Sequence, residues 1–119
     1  MPYDEKLAER LRVMLGDRRD LAEQKMFGGI GFMLAGNMCC GVHRDELIVR
    51  VSPDKSDDYL ADPHARPFDI SGRPMRGWLL VSPDGVKSQA ALRRWVDRGT
   101  RFVVSLPKKP AKKNSTKRK

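Results

Sequence analysis

The 119-residue chain is poor in several features that particular protein classes require. It has two cysteines, and they are neighbours, Cys39 and Cys40. Such a pair cannot supply the set of bridges that holds a small secreted domain together, and a core of this size does not need one. Long apolar runs are missing too. The longest stretch without charge, Met26 to Val42, is interrupted by five glycines and Asn37, well short of the ~20 apolar residues of a membrane-spanning helix. No membrane span is expected. Asp4, Glu5 and Glu9 stand where a secretory signal would carry basic residues and an apolar block, so a cytoplasmic location is expected. There is no G-x-S-x-G, no H-E-x-x-H and no Walker lysine after spaced glycines. Gly28-Gly29-Ile30-Gly31 opens a strand, whereas a phosphate loop opens a helix, so these glycines read as a bend or bulge.

Acidic residues are absent after Pro107, where Lys108, Lys109, Lys112, Lys113, Lys117, Arg118 and Lys119 lie. With 24 basic and 15 acidic side chains the chain carries +9, and removing those seven leaves a body of only +2. Nothing in 107–119 is more apolar than Ala111. Burial therefore cannot offset ~1–2 kcal/mol of ordering entropy per residue, and a disordered basic tail is expected there. The rest, 1–106, is the size of one domain.

Tyr3, Leu7, Leu11, Met14 and Leu15 recur at helical spacing before Gly16, so a first amphipathic helix is expected, with the polar segment Asp17 to Asp20 as the following loop. Three strands should follow: Lys25 to Ala35, interrupted near Gly28-Gly29, then Met38 to His43, then Glu46 to Ser52. Pro53 opens a short helix over Asp54 to Ala61. A short strand within Ala65 to Arg76 and a last strand, Gly77 to Ser82, lead to a turn at Ser82-Pro83-Asp84-Gly85. From Ser88, a good N-cap, Leu92, Trp95, Val96, Gly99, Phe102, Val103 and Leu106 form one stripe of a final helix. The fold class is α+β, two layers, with a mainly antiparallel sheet.

Two-residue loops at Gly36-Asn37 and Arg44-Asp45 set a register in which Ala35 faces Met38 and His43 faces Glu46. Alternation then gives a core face of Gly31, Met33, Ala35, Met38, Cys40, Val42, Leu47, Val49 and Val51. The opposite face gathers Ile30, Phe32, Leu34, Cys39, Ile48 and Arg50. An apolar face needs a cover: a helix of the same chain, a second copy, or a bound small molecule. Phe32, Leu34, Cys39, Ile48 and Arg50 are therefore candidates for a partner face, and a homodimer is expected.

Four local patterns stand together: Lys25-Met26-Phe27-Gly28-Gly29, Gly36-Asn37-Met38-Cys39-Cys40-Gly41-Val42, Ala65-Arg66-Pro67-Phe68-Asp69 and Gly72-Arg73-Pro74-Met75-Arg76-Gly77-Trp78. In this order they resemble the N-terminal domain of the TfoX (Sxy) family, bacterial regulators of competence genes, over about Tyr3 to Pro107. The resemblance implies a two-layer α+β domain ordered helix, three strands, helix, two strands, helix. It also implies a non-enzymatic coactivator working beside a separate DNA-binding regulator, and it transfers no catalytic residue. The family's second, helical domain and this basic tail are not shared.

Neighbouring strand residues point to opposite faces, so Cys39 and Cys40 are expected to bind no common metal, and Cys39 and His43 lie about 13 Å apart at ~3.3 Å per residue. No metal or cofactor is expected. Cys40 reads as a small core residue and Cys39 as a packed one at the second face; a Cys39 made reactive by Arg50 is the alternative. Arg94, Arg98 and Arg101 fall at i, i+4 and i+7, a stripe opposite Trp95 and Phe102 that runs on into the lysine tail. Together with Lys108, Lys109, Lys112, Lys113, Lys117, Arg118 and Lys119 they are candidates for weak, sequence-indifferent nucleic-acid contact; a solvated face is the plainer alternative. A second reading is an anionic-ligand sensor or enzyme with a pocket formed by Arg66, Arg73 and Arg76.

Overall fold

The computed structural model describes residues 3–16, 20–26, 28–68 and 75–106. Helix α1, Glu5–Leu15, begins where the Asp4 carboxylate accepts the Lys6 and Leu7 amides at 2.9 and 3.2 Å, and it ends at Gly16 with φ +73°. Strands β1 (Leu21–Met26), β2 (Gly29–Leu34), β3 (Asn37–His43) and β4 (Glu46–Arg50) follow. A 3-10 turn, Pro53–Lys55, runs into the one-turn helix α2, Ser56–Tyr59. Strands β5 (Ala65–Phe68) and β6 (Met75–Val81) precede helix α3, Gln89–Val104, whose N-cap Ser88 accepts the Ala91 amide at 3.1 Å. The fold is α+β, with an antiparallel sheet ordered β1-β2-β3-β4-β6-β5. Both long helices cover one sheet face, where Leu7, Leu11, Leu15, Leu92, Trp95, Val96 and Val103 meet Val42, Leu47, Val49, Leu79 and Val81.

Two differences from the sequence expectation matter. The span Lys25 to Ala35 is a hairpin, β1 turning at Gly28 into β2, and Leu21 to Gln24 belong to an edge strand. The second difference is register. The β3–β4 hairpin pairs His43 with Glu46 as expected, but β2 and β3 pair Leu34 with Asn37, so the loop is Ala35-Gly36. Phe32 then pairs with Cys40 and Met33 with Met38, which leaves Cys39 as the extra residue of a β-bulge.

Energetics explain the shift. The observed loop places Ala35 at φ +51°, a left-handed conformation costing an L-residue roughly 1–2 kcal/mol. In return Ile30, Phe32 and Leu34 replace Gly31, Met33 and Ala35 under the helices, and each large side chain buried contributes ~1.5–3 kcal/mol. The core gain outweighs the turn strain.

The proposed partner face is corrected accordingly. Phe32, Leu34 and Cys39 are 0, 1 and 0 % exposed within the chain's own core, roofed by its own helices. Ile48 is buried on the outer sheet face with Met38, Phe68 and Leu80. Arg50 stays half-buried, its guanidinium 5.1 Å from the Trp78 ring centroid and 5.5 Å from that of Phe102.

Candidate anion-binding cleft

Two local devices place a cleft beside the C-terminal half of α3. Ser56, buried and polar, accepts the Gly77 amide on its Oγ at 3.3 Å, while the Val51 amide donates to the Gly77 carbonyl at 2.7 Å. Gly77 has φ +88°, and a Cβ there would come within 3.0 Å of the Val51 carbonyl oxygen. The turn bearing Ser52, Lys55 and Tyr59 is thereby pinned to β6. On the other side, α3 descends onto β3 and β4 at Gly99, where a Cβ would lie 2.8 Å from the Cys39 carbonyl oxygen and 3.0 Å from Val49 Cγ2. This close approach aims Arg98, Arg101, Phe102 and Ser105 at the Pro53–Tyr59 segment.

These residues line an open concavity of about 490 Å³ with Ser52, Lys55 and Tyr59. Three cations, Lys55, Arg98 and Arg101, face it, with three hydroxyls and two aromatic rings between them. Among the described residues no carboxylate lines it, and none of the three cations has a carboxylate within salt-bridge distance. Arg98 is held by aromatics: its guanidinium carbon lies 4.5 Å from the ring centroids of both Tyr59 and Trp95, themselves an edge-to-face pair at 6.1 Å. Rings, unlike a carboxylate, hold a cation without neutralising its charge, so Arg98 keeps its attraction for an anion.

The predicted basic stripe is partly regrouped. Arg98 and Arg101 come together in the cleft, whereas Arg94 is exposed and does not line it. The stripe is not opposite the aromatics as expected, since Arg98 packs on Trp95 and Phe102 shares the cleft wall. Lys108, Lys109, Lys112, Lys113, Lys117, Arg118 and Lys119 lie outside the described residues. Sequence reasoning missed Lys55, Tyr59 and Phe102. The i, i+4 spacings Lys55/Tyr59, Arg98/Phe102 and Arg101/Ser105 are a visible signal, but only the fold brings the two segments face to face.

The alternative arginine pocket is not assembled among the described residues. Arg66 is taken by Glu46, which receives both its Nε, at 3.1 Å, and its Nη2. Arg73 and the Arg76 side chain lie outside what is described. The cysteines also depart from expectation, because the bulge turns both thiols to one side with the sulfurs 3.7 Å apart. The contact with Cys39 and full burial push the Cys40 thiol well above its ordinary range, the opposite of activation. Cys39 is fully buried, the packed side chain expected and not the reactive alternative beside Arg50, with its carbonyl beneath Gly99. Among the described residues no group of three or more His, Cys, Asp or Glu is placed to hold a metal ion, and no helix is long and apolar enough to cross a membrane.

Comparison with known families gives a match to the TfoX N-terminal domain over residues 14–103. No curated protein and no solved structure matches the chain. The matched span carries Lys55, Tyr59, Arg98, Arg101 and Phe102 of the cleft.

Proposed function

From the premise that this chain belongs to the TfoX N-terminal domain family, we propose that it is a non-enzymatic regulatory domain of bacterial, competence-type gene control. It acts through contacts, and the α3 cleft is where it meets the phosphate groups of nucleic acid. The observation carrying this reading is the convergence of Lys55, Arg98 and Arg101 on one concavity that no carboxylate among the described residues lines. Unneutralised cations gathered on a concave surface raise the local concentration of anions and release counterions when phosphate binds. Ser105 lines the same cleft, two residues before the basic run of the sequence opens at Pro107. A base-reading motif is absent from the sequence, which fits weak, sequence-indifferent contact supporting a partner that supplies specificity.

The test is charge reversal in the full chain. Lys55→Glu with Arg101→Glu, both exposed side chains, is expected to weaken binding of a labelled oligonucleotide strongly at low salt. Two reversals outside the cleft, at Arg94 and Lys87, should weaken it much less. Equal losses for the two double variants would reduce the contact to net charge and remove the cleft from the account.

A further inference from the structure

Phosphate chemistry alone does not account for the walls of this cleft. Tyr59 and Phe102 are half-exposed in its lining and alternate with the cations that face it. The two rings are not stacked on one another. Tyr59 is engaged by Arg98 and by the edge-to-face contact with Trp95, and Phe102 by Arg50 at 5.5 Å. Each arginine thus steadies one side of an aromatic wall that still borders the open space. A planar heterocycle entering the concavity meets a lining that holds two aromatic side chains, Tyr59 and Phe102, and on aromatic rings bases of any identity stack. Lys55 and Arg101 supply point and fork charges for a phosphate, and Ser52 and Ser105 supply hydroxyls at the same lining. A volume of about 490 Å³ is in the range of a small-ligand site.

A duplex cannot use such walls, because its bases are stacked inside and it offers a protein only backbone and groove edges. A single strand can turn a base outward while its phosphates stay on the cationic rim. We infer that the cleft takes a nucleoside phosphate with an unpaired base, specifically one unit of single-stranded nucleic acid, with its base against Phe102 and Tyr59 and its phosphate on Lys55 and Arg101. The inference rests on the phosphate-binding reading above and narrows it: the cleft distinguishes strand state, while the tail's charge does not.

Fluorescence anisotropy on the full chain at low salt tests this with three probes: a thymidine oligonucleotide of about ten residues, a duplex of the same length, and free thymidine monophosphate. The substitution is Phe102→Leu, which keeps an apolar side chain at a half-buried position and removes the ring. The expected result is tighter binding of the single strand than of the duplex, and a loss of single-strand affinity in Phe102→Leu within the roughly 5- to 150-fold range of one lost stack, with duplex affinity unchanged. A Tyr59→Leu variant should act in the same direction, so the outcome does not depend on one side chain. Free nucleotide binding as tightly as the oligonucleotide would overturn the assignment to a strand and make the site one for a small metabolite. Equal affinities for single strand and duplex, or a single-strand affinity untouched by both variants, would overturn the stacking inference and leave phosphate binding standing. Binding of none of the probes would remove both readings.

Discussion

At the residue scale the protein tolerates local strain where a larger gain offsets it, and Ala35 is the clearest case. Its φ of +51° suits Asn or Gly far better than Ala. Ala35→Asn is expected to raise stability by about 0.5–1 kcal/mol, read as a higher denaturation midpoint at unchanged m-value. A decrease would mean that the loop is not Ala35-Gly36 and that the register argument fails. The two cysteines make a second prediction. Both are fully buried and the Cys40 thiol is pushed upward, first by its contact with Cys39 and then by burial. A group whose folded pKa is raised stabilises fully below the unfolded thiol pKa, and that contribution declines as pH rises from there toward the folded value. Wild type should therefore lose stability relative to Cys40→Ala above about pH 9, by up to ~1.4 kcal/mol per pH unit for one thiol. Native alkylation of either cysteine should be far slower than in the unfolded chain. Parallel stability curves for the two proteins would show that the thiol ionises as freely folded as unfolded.

At the element scale the position of α3 decides where the cleft is, and Gly99 decides the position of α3. Ala in place of Gly within a helix gains about 1 kcal/mol of propensity, but here its Cβ would meet the backbone oxygens of Cys39 and Arg50 at 2.8 and 3.3 Å. Both are backbone atoms, which give way less easily than the end of a flexible side chain would. Gly99→Ala is expected to destabilise by about 1–2 kcal/mol net and to weaken oligonucleotide binding as α3 lifts. A more stable variant with unchanged binding would show that the crossing has slack.

Elements also differ in how readable they are. Helices α1 and α3 announce themselves by apolar spacing and by the caps Gly16 and Ser88, both of which act as caps in the structure, where Asp4 adds an N-cap beyond those expected from the sequence. The β3–β4 hairpin follows from alternation on either side of Arg44-Asp45. Strand β1 does not, because Ala22, Glu23, Gln24 and Lys25 of this edge strand are exposed and lack a two-residue period. The bulge at Cys39 is equally silent. A one-residue offset leaves no mark in composition, yet it exchanges the two faces of β2 and turns a proposed docking surface into core. The arginines of the cleft were visible as a charge stripe. Their aromatic supports and Lys55 were not, because their meeting depends on Gly77 and Gly99 at opposite ends of long-range contacts.

At the scale of the whole molecule, charge is distributed unevenly. The body carries +2 and the last thirteen residues +7, so most of the net charge that would attract a polyanion lies in 107–119. On the proposed reading the tail supplies long-range, strand-indifferent attraction, and the cleft supplies position. Salt dependence should divide along the same line. For single strands the slope of log affinity against log salt falls by roughly 0.7 for each phosphate contact removed. Replacing Lys55 and Arg101 by Ala should therefore lower the slope by about 1.4, and a larger drop should follow removal of 107–119. Slopes unchanged by the cleft substitutions would assign all binding to the tail.

The most direct test is to follow the backbone amide resonances of the full chain while a short single-stranded oligonucleotide is added. The account predicts that, within the folded body, the largest shifts cluster on Lys55 to Tyr59 and Arg98 to Ser105, with the outer sheet residues around Ile48 and Leu80 unmoved. Shifts confined to 107–119, or centred on the sheet and absent from α3, would contradict it.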